Sequence, residues 1–186
     1  MARNTATKAT EESVAGDMPV NESEVINEIE QQLNLEQQVT VKNIAKWQAV
    51  FARLLTIGDV TIPQDGSIRL SRNEIISQIQ NNNSLFNGID GKGSHATLII
   101  KDKPTLEEVG FDPEVQFSNS VVKNLFEIND NELFEIELKN KIVTRAEKYA
   151  LMNAIVKLKI NDYSKIRICE KYTGYKIDKI IDDVNR

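Results

Sequence analysis

One cysteine and one histidine are all the chain has of the two residue types most used to bind transition metals and attack substrates. Cys169 has no partner for an internal disulfide, which makes a reducing compartment the default. It sits in "KIRICEKY" at helical spacing with apolar neighbours and reads as a small buried hydrophobe. A single His and a single Cys cannot build a structural zinc site, and every His-based triad would depend on His95. The Gly-x-Ser-x-Gly elbow, the EF-hand and His-Glu-x-x-His are all missing from the sequence. No apolar run approaches the ~20 residues that a membrane-spanning helix needs. The first twenty residues lack the apolar core of a secretory signal. The expectation is a non-enzymatic protein with no cofactor, no metal and no membrane.

What is present is ordinary in bulk and uneven along the chain. At 186 residues, 40% hydrophobic and 27% charged, there is room for one domain with a core or for two small lobes. The net charge of −5 hides a gradient. Residues 1–38 carry two basic and eight acidic side chains, 39–138 nine and fourteen, and 139–186 twelve and six. Residues 1–20 hold almost nothing that could be buried and read as an arm, disordered or ordered by a partner. Residues 21–36 read as an amphipathic docking helix. Val25, Ile29 and Leu33 recur every fourth residue above an otherwise acidic face. A stripe so narrow on a helix so short requires a docking surface, so these three residues are the candidate partner-binding set.

From Val39 the period changes to two. "QVTVKN" reads as a strand, and "VTIPQDGSIRL" as two short strands around a Gln-Asp-Gly turn. "IAKWQAVFARLL" fits either type and leans to strand. "SRNEIISQIQNNN" is a short helix, with Ser71 and Glu74 at capping-box spacing and three asparagines to end it. "NGIDGKGSHATLIIKD" combines a glycine loop with a strand beginning at Ser94. Its glycines lack the Lys-Ser/Thr and the following helix that a phosphate cradle requires, whereas Asp90-Gly91 is a tight-turn signal. Beyond Pro104 the spacing is helical. "TLEEVGF" supplies one turn at most, "SNSVVKNLFEI" and "NDNELFEIELKN" are amphipathic, and "TRAEKYALMNAIVKLKI" opens on a second capping box, Thr144 and Glu147. The expected fold is α+β, with a small β-rich lobe over 39–103 and a helical lobe over 104–186.

The C-terminal "KIRICEKYTGYKIDKIIDDV" has the layout of a helix-turn-helix pivoting on Gly174, within the basic part of the chain. Lys157, Lys159, Lys165 and Arg167 are the candidate nucleic-acid contacts. Glu170 stands where a small residue is wanted, and Asp178, Asp182 and Asp183 would face phosphates, so a packed helical hairpin is the preferred reading.

"GDVTIPQDGSIRLSRNEIISQIQNNNSLFNGIDGKGSHATLII" and "TRAEKYALMNAIVKLKINDYSKIRICEKYTGYKI" together resemble small structural proteins of tailed bacteriophages of low-GC bacteria, over roughly residues 39–177. The resemblance implies a capsid-associated or head–tail joining protein, made in the host cytoplasm and carried in the virion. It would be present in multiple copies among other virion structural proteins, with no catalytic residues to carry over. The alternative is a DNA-binding protein using the C-terminal helices.

Overall fold

The computed structural model describes residues 33–184, and the side chains of 33–181. The fold is α+β. β1 (Gln38–Asn43) is the central strand of a three-stranded antiparallel sheet, flanked by β4 (Ser67–Ser71) and β5 (Leu98–Ile100). Val41 faces Ile68 on one side and Ile100 on the other. A second, two-stranded antiparallel sheet pairs β2 (Ala49–Ala52) with β3 (Asp59–Ile62). The Gln-Asp-Gly turn therefore joins strands as expected, but those strands belong to different sheets. Within "IAKWQAVFARLL" only Ala49–Ala52 is strand, bounded by bends on both sides.

Eight helices complete the described chain. α1 (Arg72–Gln80) and α2 (Ser84–Asn87) follow β4, and α3 (Lys103–Glu108) follows β5. After a 3-10 turn at Pro113–Val115 come α4 (Asn119–Phe126), α5 (Asn131–Lys141), α6 (Arg145–Lys157), α7 (Tyr163–Thr173) and α8 (Ile177–Val184). Short polar residues start most of these helices. Asn83, Asp102, Ser118, Asp130, Thr144 and Asp162 each accept a backbone N–H of the first turn. Asn81 caps α1 and Asn82 takes a left-handed φ of 56°, so the asparagine run ends one helix and starts the next.

Three expectations change. The strand expected from Ser94 begins at Leu98, because His95 has a left-handed φ of 58° and cannot continue a ladder. α3 runs for six residues, since Pro104 supplies a preset φ in its first turn where no N–H is needed. The helix expected over 21–36 does not extend through its last residues. Leu33 and Asn34 have no regular structure, and Leu35 and Glu36 form a turn. The expected arm over 1–20, and Val25 and Ile29 of the expected docking helix, lie outside the described residues.

Buried side chains gather in three groups. One face of the three-stranded sheet (Val39, Val41, Leu98, Ile100) packs on Phe51, Val60 and Ile62 of the two-stranded sheet, on α1, and on Leu106 and Phe111. The first core thus reaches past Asp102 to Phe111. A helical core joins Val122, Phe134, Leu138, Leu151, Ile155, Ile166, Cys169 and Ile180. A small third group lies on the opposite face of the sheet, where Ile44 and Ile99 meet Ala146 and Ala150 of α6. α6 is the hub: α7 and α8 both pack against it, and neither is a free reading helix.

Candidate functional site

On the α6 side of the sheet, a cleft of about 770 Å³ opens between β5, α3 and the 113–119 segment. Alternation along the strands builds it. Lys42 and Ile99 are cross-strand partners and point away from the first core, which leaves them facing the cleft. Its walls are apolar, from Ile44, Ile99, Leu106 and Phe117, while Lys101 and Lys103 stand exposed at the rim. Gln116, only 4% exposed, lies in the wall. Its Oε1 accepts the Ile100 N–H at 3.2 Å, standing in for a neighbouring strand on the outer edge of β5. Among the described residues its Nε2 has no hydrogen-bond partner, which leaves a buried donor unsatisfied.

The other end of the cleft region is fixed by Arg72, a buried cation. Its guanidinium donates to Asp102 Oδ2 at 2.9 Å, Thr105 Oγ1 at 3.0 Å, the Asn34 carbonyl at 2.7 Å and Gln37 Oε1 at 3.0 Å. Burial alone would raise the Asp102 pKa. The hydrogen bonds from Thr105 and Arg72 outweigh burial and hold this carboxyl below its usual value.

A hollow of about 220 Å³ beside Phe117 contains His95 and Glu147. His95 Nδ1 lies 2.9 and 3.1 Å from the two carboxylate oxygens of Glu147. Glu147 Oε2 also accepts the N–H groups of Val143 and Thr144, each at 2.9 Å, and Thr144 donates its hydroxyl at 3.1 Å. The expected capping box of α6 is present, and the same carboxylate locks the glycine loop onto the helix. Cys169 cannot serve this pair as a nucleophile. It is fully buried in the helical core, and burial pushes its thiol pKa to about 12.

The glycine loop is a turn with fixed geometry. Asp90 Oδ1 accepts the N–H groups of Lys92 at 2.8 Å and Ser94 at 3.1 Å. A Cβ on Gly88 would sit 1.8 Å from the Ser94 carbonyl oxygen, and one on Gly93 would sit 2.6 Å from the Phe111 ring.

The four basic candidates do not share one surface. Lys165 is buried, with its ammonium donating to the Phe126 carbonyl at 2.7 Å and paired with Asp162 at 3.2 Å. It is not available for an outside phosphate. Lys157 pairs with Asp65, which also pairs with Lys42 at 3.0 Å. Lys159 and Arg167 are both exposed. Glu170 accepts the Ile177 N–H at 3.0 Å and pairs with Lys176, capping α8 across the Gly174 turn. Leu33 is half-buried and joins none of these sites among the described residues.

Sequence reasoning missed the loop between β2 and β3. Leu54, Leu55 and Ile57 are exposed there, Ile57 completely, with Val50 exposed on the adjoining strand. The backbone beneath them is held: Glu74 accepts the N–H groups of Leu54 at 2.9 Å and Leu55 at 3.1 Å, and Arg53 N–H reaches the Gly58 carbonyl at 2.9 Å. Glu74 was expected to return to its own helix start. Ser71 does cap α1, but Glu74 turns to the loop instead. The available signal was "RLLTIG", an apolar run where two strands turn.

Compared with known proteins, the chain matches no family model, no curated protein and no solved structure.

Proposed function

We propose that the chain is a non-enzymatic assembly protein of a phage particle, which binds neighbouring virion proteins through its N-terminal arm and the segment over 21–36. The virion assignment rests on the sequence resemblance. The observation that supports an assembly role is the β2–β3 loop: Leu54, Leu55 and Ile57 stand in water beside exposed Val50 of β2, and Glu74 ties down the loop backbone at Leu54 and Leu55. Grouped apolar exposure of this kind marks surfaces that meet other macromolecules. The Val25/Ile29 pattern adds a second apolar feature in need of a partner.

The test is removal of residues 1–32, a cut that spares the Arg72 contacts with Asn34 and Gln37. The shortened chain keeps its circular dichroism and melting profile but is missing from purified particles when these are examined by mass spectrometry. Normal incorporation of the shortened chain refutes the role of the N-terminal segment.

A further inference from the structure

We propose that the β2–β3 loop of one copy of this chain seats in the β5–α3 cleft of a second copy, joining subunits head to tail.

The sheet separates the two surfaces. β2 and β3 cover the face that carries Val41 and Ile100, whereas the cleft opens on the face that carries Lys42 and Ile99. A copy cannot place its own loop in its own cleft without crossing the sheet. Such a contact joins two different patches and, unless two copies exchange loops about a two-fold axis, propagates into a ring or a filament.

The loop is suited to insertion. Its apolar side chains are displayed on a backbone already fixed through Glu74 and the Arg53–Gly58 bond, so little ordering entropy remains to be lost on docking. The carbonyls of Leu54, Leu55 and Thr56 make no backbone hydrogen bond among the described residues. The cleft offers apolar walls to receive these side chains, from Ile44, Ile99, Leu106 and Phe117. The charges match as well. Exposed Asp59 flanks the loop without an ion pair among the described residues, and Lys101 stands at the cleft rim in the same condition. Beside it, Lys103 makes an exposed helical pair with Glu107, at 3.3 Å.

The experiment is sedimentation velocity of the full-length chain over a concentration series. Two variants each disable one surface: Leu55→Asp with Ile57→Asp, and Lys101→Glu with Lys103→Glu. All four positions are exposed, and circular dichroism confirms that the variants fold. The wild-type chain forms species larger than one subunit. Each variant alone associates at least tenfold more weakly. Mixed in equal amounts, the two variants form a pair that does not grow further, because one intact loop meets one intact cleft. Adding Asp59→Lys to the cleft variant restores its association. Removal of residues 1–32 leaves the association unchanged, which separates this contact from the N-terminal one. A wild-type chain that stays monomeric overturns the proposal, as does association that survives both variants or a mixture that stays monomeric.

Discussion

At Gly88 the backbone takes φ 67° and ψ −152°, a combination that essentially only glycine adopts, and a methyl group would strike the Ser94 carbonyl. Gly93 is blocked differently: its φ of 88° is also left-handed, and the obstacle is the buried Phe111 ring. Gly91 has the same φ sign with open space around it. Alanine at Gly88 or Gly93 is therefore expected to cost more than ~2 kcal/mol, while Gly91→Ala costs about 1 kcal/mol, the strain alone. Urea unfolding of the three variants reads the order directly, and a Gly91 variant as damaging as the others would contradict it. Glu74 makes a second residue-scale case. Burial raises its pKa, but bonds from Gln78 and the Leu54 and Leu55 amides outweigh this and hold the carboxyl below its ordinary value of 4.5. The folded state thus releases the proton more readily than the unfolded chain. The stabilisation is complete well above pH 4.5 and is lost as pH falls through the lowered folded value. Glu74→Gln should lower stability at pH 7 and reduce the loss on acidification below pH 4.5, measured by urea midpoints along a pH series.

Among elements, Lys165 shows why one basic side chain differs from its neighbours. Its ammonium satisfies the Phe126 carbonyl at the last residue of α4 and lies 5.8 Å from the centre of the Phe134 ring. Lys165→Ala leaves that carbonyl without its donor and opens a gap between α4, α5 and α7, at an expected cost of about 2–3 kcal/mol. Arg167→Ala, on the exposed face of the same helix, should stay within about 0.5 kcal/mol. Equal losses in thermal melts would rule out this division of roles. The sequence could not separate the two residues, because a charge count treats every lysine as solvated. Elements were legible where one local rule decided them: the Thr144–Glu147 box, the asparagine run and the alternation of "QVTVKN" all appear in the fold. Where long-range partners decide, local pattern was insufficient. Glu74 has the spacing of a capping box but meets the amides of a distant loop. "SHAT" has strand composition but is bent at His95, which meets Glu147 on α6. The cleft was invisible for the same reason, since Gln116 and Lys42 acquire their meaning only when β5 is placed between them.

On the scale of the whole molecule, the two lobes read from the sequence are joined too closely to act separately. Ile44 and Ile99 from the sheet pack with Ala146 and Ala150 of α6. Polar links run beside them: Gln64 donates to the Tyr149 hydroxyl at 2.7 Å, Lys157 pairs with Asp65, and His95 binds Glu147. Arg145 at the start of α6 lies over the Trp47 ring, 5.7 Å from its centre. The lone tryptophan therefore reports on the β lobe at its boundary with the helices, while far-UV circular dichroism is dominated by the helices themselves. If the shared core couples the lobes, both signals should follow one denaturation curve. Ile99→Ala removes three carbons from that shared core, with an expected cost of 2–4 kcal/mol, and the two curves should move together to lower urea. Two separate transitions in the wild-type chain would show lobes that fold independently. A variant that shifts the tryptophan curve but not the helical one would confine Ile99 to the β lobe and leave α6 as its neighbour in contact alone.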